Sequence, residues 1–396
     1  MRATGTSSTE LKRGRWAVAA IFLVNGFLVG SWAPQIPVTL DRLQISEFTL
    51  GLLILGFGAG ALVAMPTAGY LIARYGSTPV LRVLALACSF GLLGVTMAPG
   101  LASVALALVA FGALIGGTDV SMNANAVAVE RRLGRAIMSS SHGFWSLGGF
   151  AGGGLGGFAI VALGPVGHGL AVTAIALLAT MLATRHLSGE PVPAAVPGRR
   201  FSLPRNPLVY LVGLIALFSM VPEGAVLDWA ALYLRQERGA DLATAGLAFA
   251  GFSGTMALMR FAGDAVRDRL GAVATLRVSG LFAAAGMMVA AWSSDPALAI
   301  SAFAVSGLGI ANMVPIAFSA AGNQDDISAG AGLSTVTSMG YAGLLVAPSV
   351  IGFIGERTGF APIFAVLSGL LVLVVLMAGL ARKAEFARGG PSHSAA

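Results

Sequence analysis

The sequence predicts an all-α membrane protein with twelve transmembrane helices in two pseudo-symmetric six-helix bundles. Three observations carry that prediction. Charged residues make up only 10% of the 396 positions and hydrophobic ones 56%, whereas a soluble globular chain carries about 25% charged residues. Apolar runs recur along the chain, each near the ~20 residues that cross a ~30 Å hydrocarbon core as a helix. The two halves also repeat one another at a fixed spacing. The alternating short segments of a membrane β-barrel do not occur in it.

Taken in order, the predicted spans are 16–38, 48–72, 78–98, 101–126, 138–163 and 166–185 in the first half. The second half gives 207–234, 242–263, 273–293, 296–321, 329–355 and 360–381. The longest polar interruption runs from Arg185 to Asn206, rich in proline and glycine between Gly189 and Gly198 and carrying the pair Arg199–Arg200. It reads as a linker (186–206) between an N-terminal bundle (16–185) and a C-terminal bundle (207–381). Short tails (1–15 and 382–396) complete the chain. The first apolar run is far longer than a signal-peptide core and has no small-residue cleavage site, so it reads as a retained span.

Orientation follows from the basic residues. The tails and even-numbered connections hold 20 of the 24 lysines and arginines, with Arg260 counted in the connection after span 8. The opposite side holds Arg42, Arg235, Arg238 and Arg357. That bias predicts that both termini are cytoplasmic, which also requires an even number of spans. The net charge of +7 is explained by these loops, so no nucleic-acid partner is expected. The single cysteine, Cys88, lies in an apolar run and excludes a disulfide or metal framework.

The internal repeat has an offset of 195 residues, pairing Gly51 with Gly246, Gly56 with Gly251, Phe57 with Phe252, Arg74 with Arg269, Gly76 with Gly271 and Gly112 with Gly307. The first spans of the halves align at 197, matching Trp32-Ala33 to Trp229-Ala230. Two parallel six-span repeats place a substrate site near the midplane between them.

These features resemble the major facilitator superfamily over essentially the whole chain. Gly69-Tyr-Leu-Ile-Ala73-Arg74-Tyr-Gly76 is similar to that family's G-x-x-x-D-R-x-G signature, with alanine in place of the acid. The second copy, Asp264-Ala-Val-Arg-Asp268-Arg269-Leu-Gly271, keeps the acid and loses the first glycine. Three segments are similar to a bacterial inner-membrane subgroup of the YbjJ type: Asn25-Gly26 to Trp32-Ala33-Pro34, Ser139-Ser140-Ser141-His142-Gly143, and Asp228-Trp229 to Tyr233-Leu-Arg235. The pair Asp119-x-x-x-Asn123 resembles fucose-permease-like proton symporters. The first span here offers Gly30 where those symporters carry an acid.

Polar residues gather on spans 1, 4, 7 and 10, leaving the third span of each triplet peripheral. An ionisable group at hydrocarbon depth is by default a functional candidate, so Asp119, Glu223 and His142 are the candidate proton-coupling residues. Asp119 and Asn123 share a helix face. His142 falls at comparable depth, which suggests a carboxylate–imidazole pair; a neutral histidine bonded to a serine or carbonyl is the competing reading. Glu223, between Pro222 and Gly224, is either a gated proton site or a helix-end acid reaching water. Candidate substrate-binding residues are Asn25, Trp32, Gln35, Asn123, Trp145, Asp228, Trp229 and Asn312. For Asp228 a solvated or Arg235-paired carboxylate is the favoured alternative. Gly148-Gly149 and Gly152 to Gly157 give span 5 a nearly bare face for close helix approach, static or sliding.

A gate follows from charge. Arg74 and Arg82 would face Asp325 and Asp326, and Asp264 and Asp268, with Arg269 beside them, would face Arg131, Arg132 and Arg135. These contacts are expected to hold the cytoplasmic side shut in the outward-open state. The resulting reading is a secondary transporter of a small polar metabolite, working by alternating access and proton-coupled, monomeric in the lipid bilayer and without a cofactor. No nucleotide-binding G-x-x-x-x-G-K-[ST] and no hydrolase motif is present, so neither direct ATP drive nor an enzyme is expected. The competing readings are an exporter of amphipathic compounds or lipid flippase, kept open by Trp32, Phe144, Trp145 and Trp229, and a ligand sensor without net flux.

Overall fold

The computed structural model of the chain describes residues 8–133, 137–188, 205–324 and 329–384, with backbone alone at 8–10, 73, 131, 139, 264, 322, 329–331, 333 and 334. Every regular element among them is helical. The first half contains α1 (Ser8–Trp32), α2 (Gln35–Leu43), α3 (Glu47–Tyr75), α4 (Ser77–Cys88), α5 (Gly91–Met97), α6 (Leu101–Leu133) and α7 (Met138–Thr184). The second contains α8 (Pro207–Arg238), α9 (Leu242–Leu270), α10 (Ala272–Trp292), α11 (Pro296–Ile310), α12 (Met313–Gly322), α13 (Ala329–Thr358) and α14 (Ala361–Met377), ending in a 3₁₀ turn at Ala378–Ala384.

Among the described residues eleven stretches are long and apolar enough to cross a membrane, and the longest, Ser140–Thr184, holds two crossings. Helix α7 doubles back at Gly164, whose φ of 74° and ψ of 168° belong to a region open essentially to glycine alone. Pro165 follows and contributes no backbone N–H. Twelve crossings result, and the predicted spans 5 and 6 meet without a loop. Three predicted crossings are broken: span 1 into α1 and α2 at Ala33-Pro34, span 3 into α4 and α5 at Ser89-Phe90, and span 10 into α11 and α12 at Ala311-Asn312. Helix also reaches back to Ser8, into the stretch read as a polar tail.

The packing repeats between halves. Helix α1 lies on α7 as α8 lies on α13, and α3 lies on α6 as α9 lies on α11. The repeat is visible at single contacts. A Cβ on Gly112 would sit 1.8 Å from the carbonyl oxygen of Phe57, and one on Gly307 would sit 2.1 Å from that of Phe252. Between α1 and α7 the backbones also touch: a Cβ on Gly26 would fall 1.9 Å from the Trp145 carbonyl, and one on Gly148 2.0 Å from that of Leu23. Small residues permit such approach where lipid supplies no hydrophobic drive between helices.

The halves meet along two seams, α7 on α9 and α3 on α13. At the face away from the chain ends (the far face) an Asp41–Arg235 ion pair at 2.8 Å and a Gln236–Glu47 hydrogen bond at 3.0 Å join them. Gly352 of α13 packs on the backbone of Glu47, and Gly51 of α3 on Pro348 and Ser349. At the near face Arg267 donates to Ser319 at 2.9 Å and to the carbonyl of Ala384, tying the closing 3₁₀ turn to α9 and α12.

Candidate functional site

A band of polar side chains crosses the middle of the molecule between the two bundles. On α6, Asp119 and Asn123 lie one turn apart. The Asn123 amide donates to the Asp119 backbone carbonyl at 2.8 Å and to its Oδ1 at 3.3 Å. That fixes the amide with Oδ1 pointing away, where it meets His142 Nε2 of α7 at 3.2 Å. The amide oxygen only accepts, so the hydrogen lies on Nε2. Phe22 of α1 stacks edge-on against the imidazole, with centroids 5.1 Å apart. The proposed direct contact between Asp119 and His142 is therefore corrected: Asn123 stands between them and bonds to both.

The second half answers with Glu223 of α8 and Arg260 of α9, 3.4 Å apart and with side chains 24% and 15% exposed. Arg260 also donates to Ser146 Oγ of α7 at 2.6 Å, so one guanidinium bridges the bundles. Tyr341, half-buried, lies on α13, the helix that packs on both α3 and α8. Asp119, Asn123, His142, Glu223, Arg260 and Tyr341 are all half-buried, unlike the sealed core around them.

Three of these residues were missed by sequence reasoning. Arg260 was counted with a loop, but it lies within the crossing Leu242–Gly263. The available signal was its setting, an arginine flanked by Met259 and Phe261. Ser146 and Tyr341 carry no comparable signal.

Most predicted substrate-binding residues are placed elsewhere. Trp32 is 3% exposed, and Trp229 is fully buried and stacked on Phe360 at 5.2 Å. Both belong to the packed core. Gln35 donates to the Pro165 carbonyl at 3.0 Å and pairs with His168 Nδ1 at 2.9 Å, which braces the α7 turn. Asn25 accepts from the Trp145 indole at 2.9 Å, joining α1 to α7 within the first bundle. Asn312 is buried with Oδ1 against Gly263. Asp228 is buried rather than solvated, and Arg235 pairs with Asp41 instead. Of the substrate candidates, Asn123 alone sits in the band, with Trp145 half-buried at its edge.

For the gate, Arg135, Asp325 and Asp326 lie outside the described residues, as do the side chains of Arg131 and Asp264. Arg74 is exposed and donates to Tyr70 at 3.3 Å, while Arg82 donates to the Thr184 carbonyl at 3.1 Å. Arg132 is half-buried, and Asp268 and Arg269 are exposed.

A family model described as the Major Facilitator Superfamily matches residues 18–325 and 212–395. An uncharacterized MFS-type transporter of Yersinia pestis is 34% identical over 361 residues, covering 90% of this chain and 93% of the relative. Membrane protein MosC of Rhizobium meliloti is 33% identical over 363 residues, covering 90% and 88%. Among solved structures, a bacterial homolog to the human lysosomal transporter Spinster, in an inward-facing and unoccupied conformation, superposes with a TM-score of 0.72 at 14% identity, covering 97% of this chain and 100% of that one. The nucleoside transporter NupG superposes with a TM-score of 0.68 at 13% identity, covering 93% and 98%. At such identities the superpositions speak for the fold.

Proposed function

Because the chain belongs to the major facilitator superfamily, we propose that this secondary transporter carries a small polar solute by alternating access and couples it to protons. One observation carries the reading. Each bundle brings an acid to the cleft, Asp119 on α6 and Glu223 on α8, with Asn123–His142 extending the first and Arg260 pairing with Glu223 while donating across the bundles to Ser146. Two half-exposed carboxyls sharing a polar band between moving bodies can exchange protons with water in one state and hold them in another. Asn123, His142, Arg260 and Tyr341 supply donors and acceptors for a hydroxyl- or amide-bearing solute.

The far face is joined by the Asp41–Arg235 pair and the glycine contacts of α3 and α13. With the basic bias of the near-face connections, the state is one in which the outer side is shut and both termini are cytoplasmic, in the inner membrane. The chain acts as a monomer, divided into bundles 16–185 and 207–381 around the linker 186–206. Near-face charge pairing between Arg131, Arg132, Arg135 and Asp264, Asp268 remains the proposed lock of the alternate state. An amphipath exporter loses two of its four supporting aromatics, since Trp32 and Trp229 are core residues.

The test is uptake into proteoliposomes with and without a pH gradient, after a metabolite screen by thermal shift. Wild type is expected to accumulate solute only with the gradient. Asp119→Asn and Glu223→Gln should retain exchange of bound solute while losing gradient-driven accumulation by about tenfold or more. Full gradient dependence in both variants would remove these acids from coupling. Binding without any flux would make the protein a sensor.

A further inference from the structure

Asp228 stands apart from the polar band. It lies on α8, five residues beyond Glu223 and seven before Arg235, and only 8% of it is exposed. It borders a narrow void against α13, lined also by Gly224, Trp229, Leu344 and Pro348, with no room for a water molecule. No hydrogen bond or ion pair reaches its carboxyl among the described residues. The neighbouring Trp229 indole N–H is buried without a partner, so it is not spent on Asp228.

Among the described residues the surroundings carry no compensating cation. On its own helix Arg235 is taken by Asp41 of α2, Arg238 by the Ala291 carbonyl, and Glu237 caps α14 at Phe360 and Ala361. Glu223 is held by Arg260 of α9. From α3 comes Glu47, bonded to Gln236, and from α2 Arg42, spent on the Val95 and Thr96 carbonyls. From α13 come Tyr341, deeper in the cleft, and Glu356 and Arg357, the latter bonded to the Phe353 carbonyl. A carboxylate this buried and without a hydrogen-bond donor is disfavoured, whereas a carboxylic acid is tolerated. Leu344 and Pro348 both border the void. Pro348 has no N–H, so the carbonyl of Leu344 one turn earlier lacks its helical donor. A protonated carboxyl can donate to such a carbonyl; a carboxylate cannot.

The position gives this chemistry a consequence. The α13 segment that covers Asp228 is the one that packs on the other bundle: Pro348 and Ser349 lie on Gly51, and Gly352 on Glu47. We propose that Asp228 is a second proton-binding site, loaded while α3, α8 and α13 are packed together and discharged to water when that seam parts. The site rests on the alternating-access reading but not on coupling through Asp119 or Glu223. Protonation stabilises the shut far face; raising the pH favours its opening.

The experiment measures spin-label distances across the far face, with Gln44→Cys and Ala240→Cys labelled in a Cys88→Ser background and no solute present. Wild type is expected to lose its short-distance population as pH rises from about 6 to about 9, the shut-to-open ratio falling up to about tenfold per unit in the responsive range. Asp228→Asn should hold the short distance at every pH, and Asp228→Glu should restore a response. The same series in Asp119→Asn/Glu223→Gln protein should still titrate. A wild-type distance independent of pH, an unchanged response in Asp228→Asn, or loss of the response in the double variant would each overturn the proposal. The last outcome would assign the response to the central acids, whereas failure of gradient-driven uptake alone would leave this site standing.

Discussion

Helices α3 and α9 are one helix written twice, and their differences separate scaffold from chemistry. Both run 29 residues. Ser46 caps the first by accepting from the Thr49 N–H at 3.2 Å, and Asp241 caps the second by accepting from the Thr244 N–H at 2.8 Å. Both end on a glycine of nearly identical conformation, Gly76 at φ 83° and ψ 162° and Gly271 at φ 81° and ψ 163°. The frame is thus duplicated to the level of single dihedrals. The polar band is not. Met65 stands where α9 has Arg260, while Val314 and Phe318 stand where the second half would repeat Asp119 and Asn123. Groups present in one copy only are what the common frame does not need.

The comparison can be broken by giving α9 the residue of its twin. Arg260→Met leaves Glu223 half-buried without its cation. Breaking a fully buried pair costs about 3–5 kcal/mol, and partial exposure here reduces the expectation to about 2 kcal/mol. A thermal melt in detergent should fall accordingly and solute uptake should collapse. Adding Glu223→Gln should recover most of the melting temperature without recovering uptake, because the bridge to Ser146 is still gone.

The shared frame is tested next. Gly76→Ala and Gly271→Ala each force a side chain into a backbone region reserved for glycine, at about 1–3 kcal/mol. The two losses should agree closely in matched unfolding experiments. A large disparity would mean that the copies do not share the work of that turn.

The smallest effect sharpens the one chemical difference between the caps. The backbone N–H of Thr244 holds the exposed Asp241 carboxyl below its ordinary range. A depressed acid contributes stability above its unfolded value, near pH ~4, and loses it as pH falls through the folded value. Asp241→Ser should therefore melt slightly lower than wild type at neutral pH and converge with it in acid. The reciprocal Ser46→Asp should import that acid sensitivity into α3.

Much of this architecture was legible in the sequence because its causes are local. Span length and apolar content depend on consecutive residues, and the repeat survives as glycines at fixed spacing. Asp119 and Asn123 were legible for the same reason, as polar groups one turn apart in an apolar run. Arg260 was not, since an arginine three residues from the end of a span can equally extend its long side chain toward the surface. Trp32, Trp229 and Gln35 misled because their roles are set by distant partners. Trp229 stacks on Phe360, and Gln35 reads His168, 133 residues away. An aromatic or an amide announces what it can bind and not which neighbour will reach it first.

The reversal at Gly164 bears on mechanics. Where one crossing ends and the next begins on adjacent residues, with Gln35 gripping the corner, the chain has no slack to absorb a pull. Displacement of the fifth crossing must drag the sixth with it, like two legs of a folded rod. An epitope spliced into that corner should uncouple the pair, whereas the same tag at either chain end would be ignored.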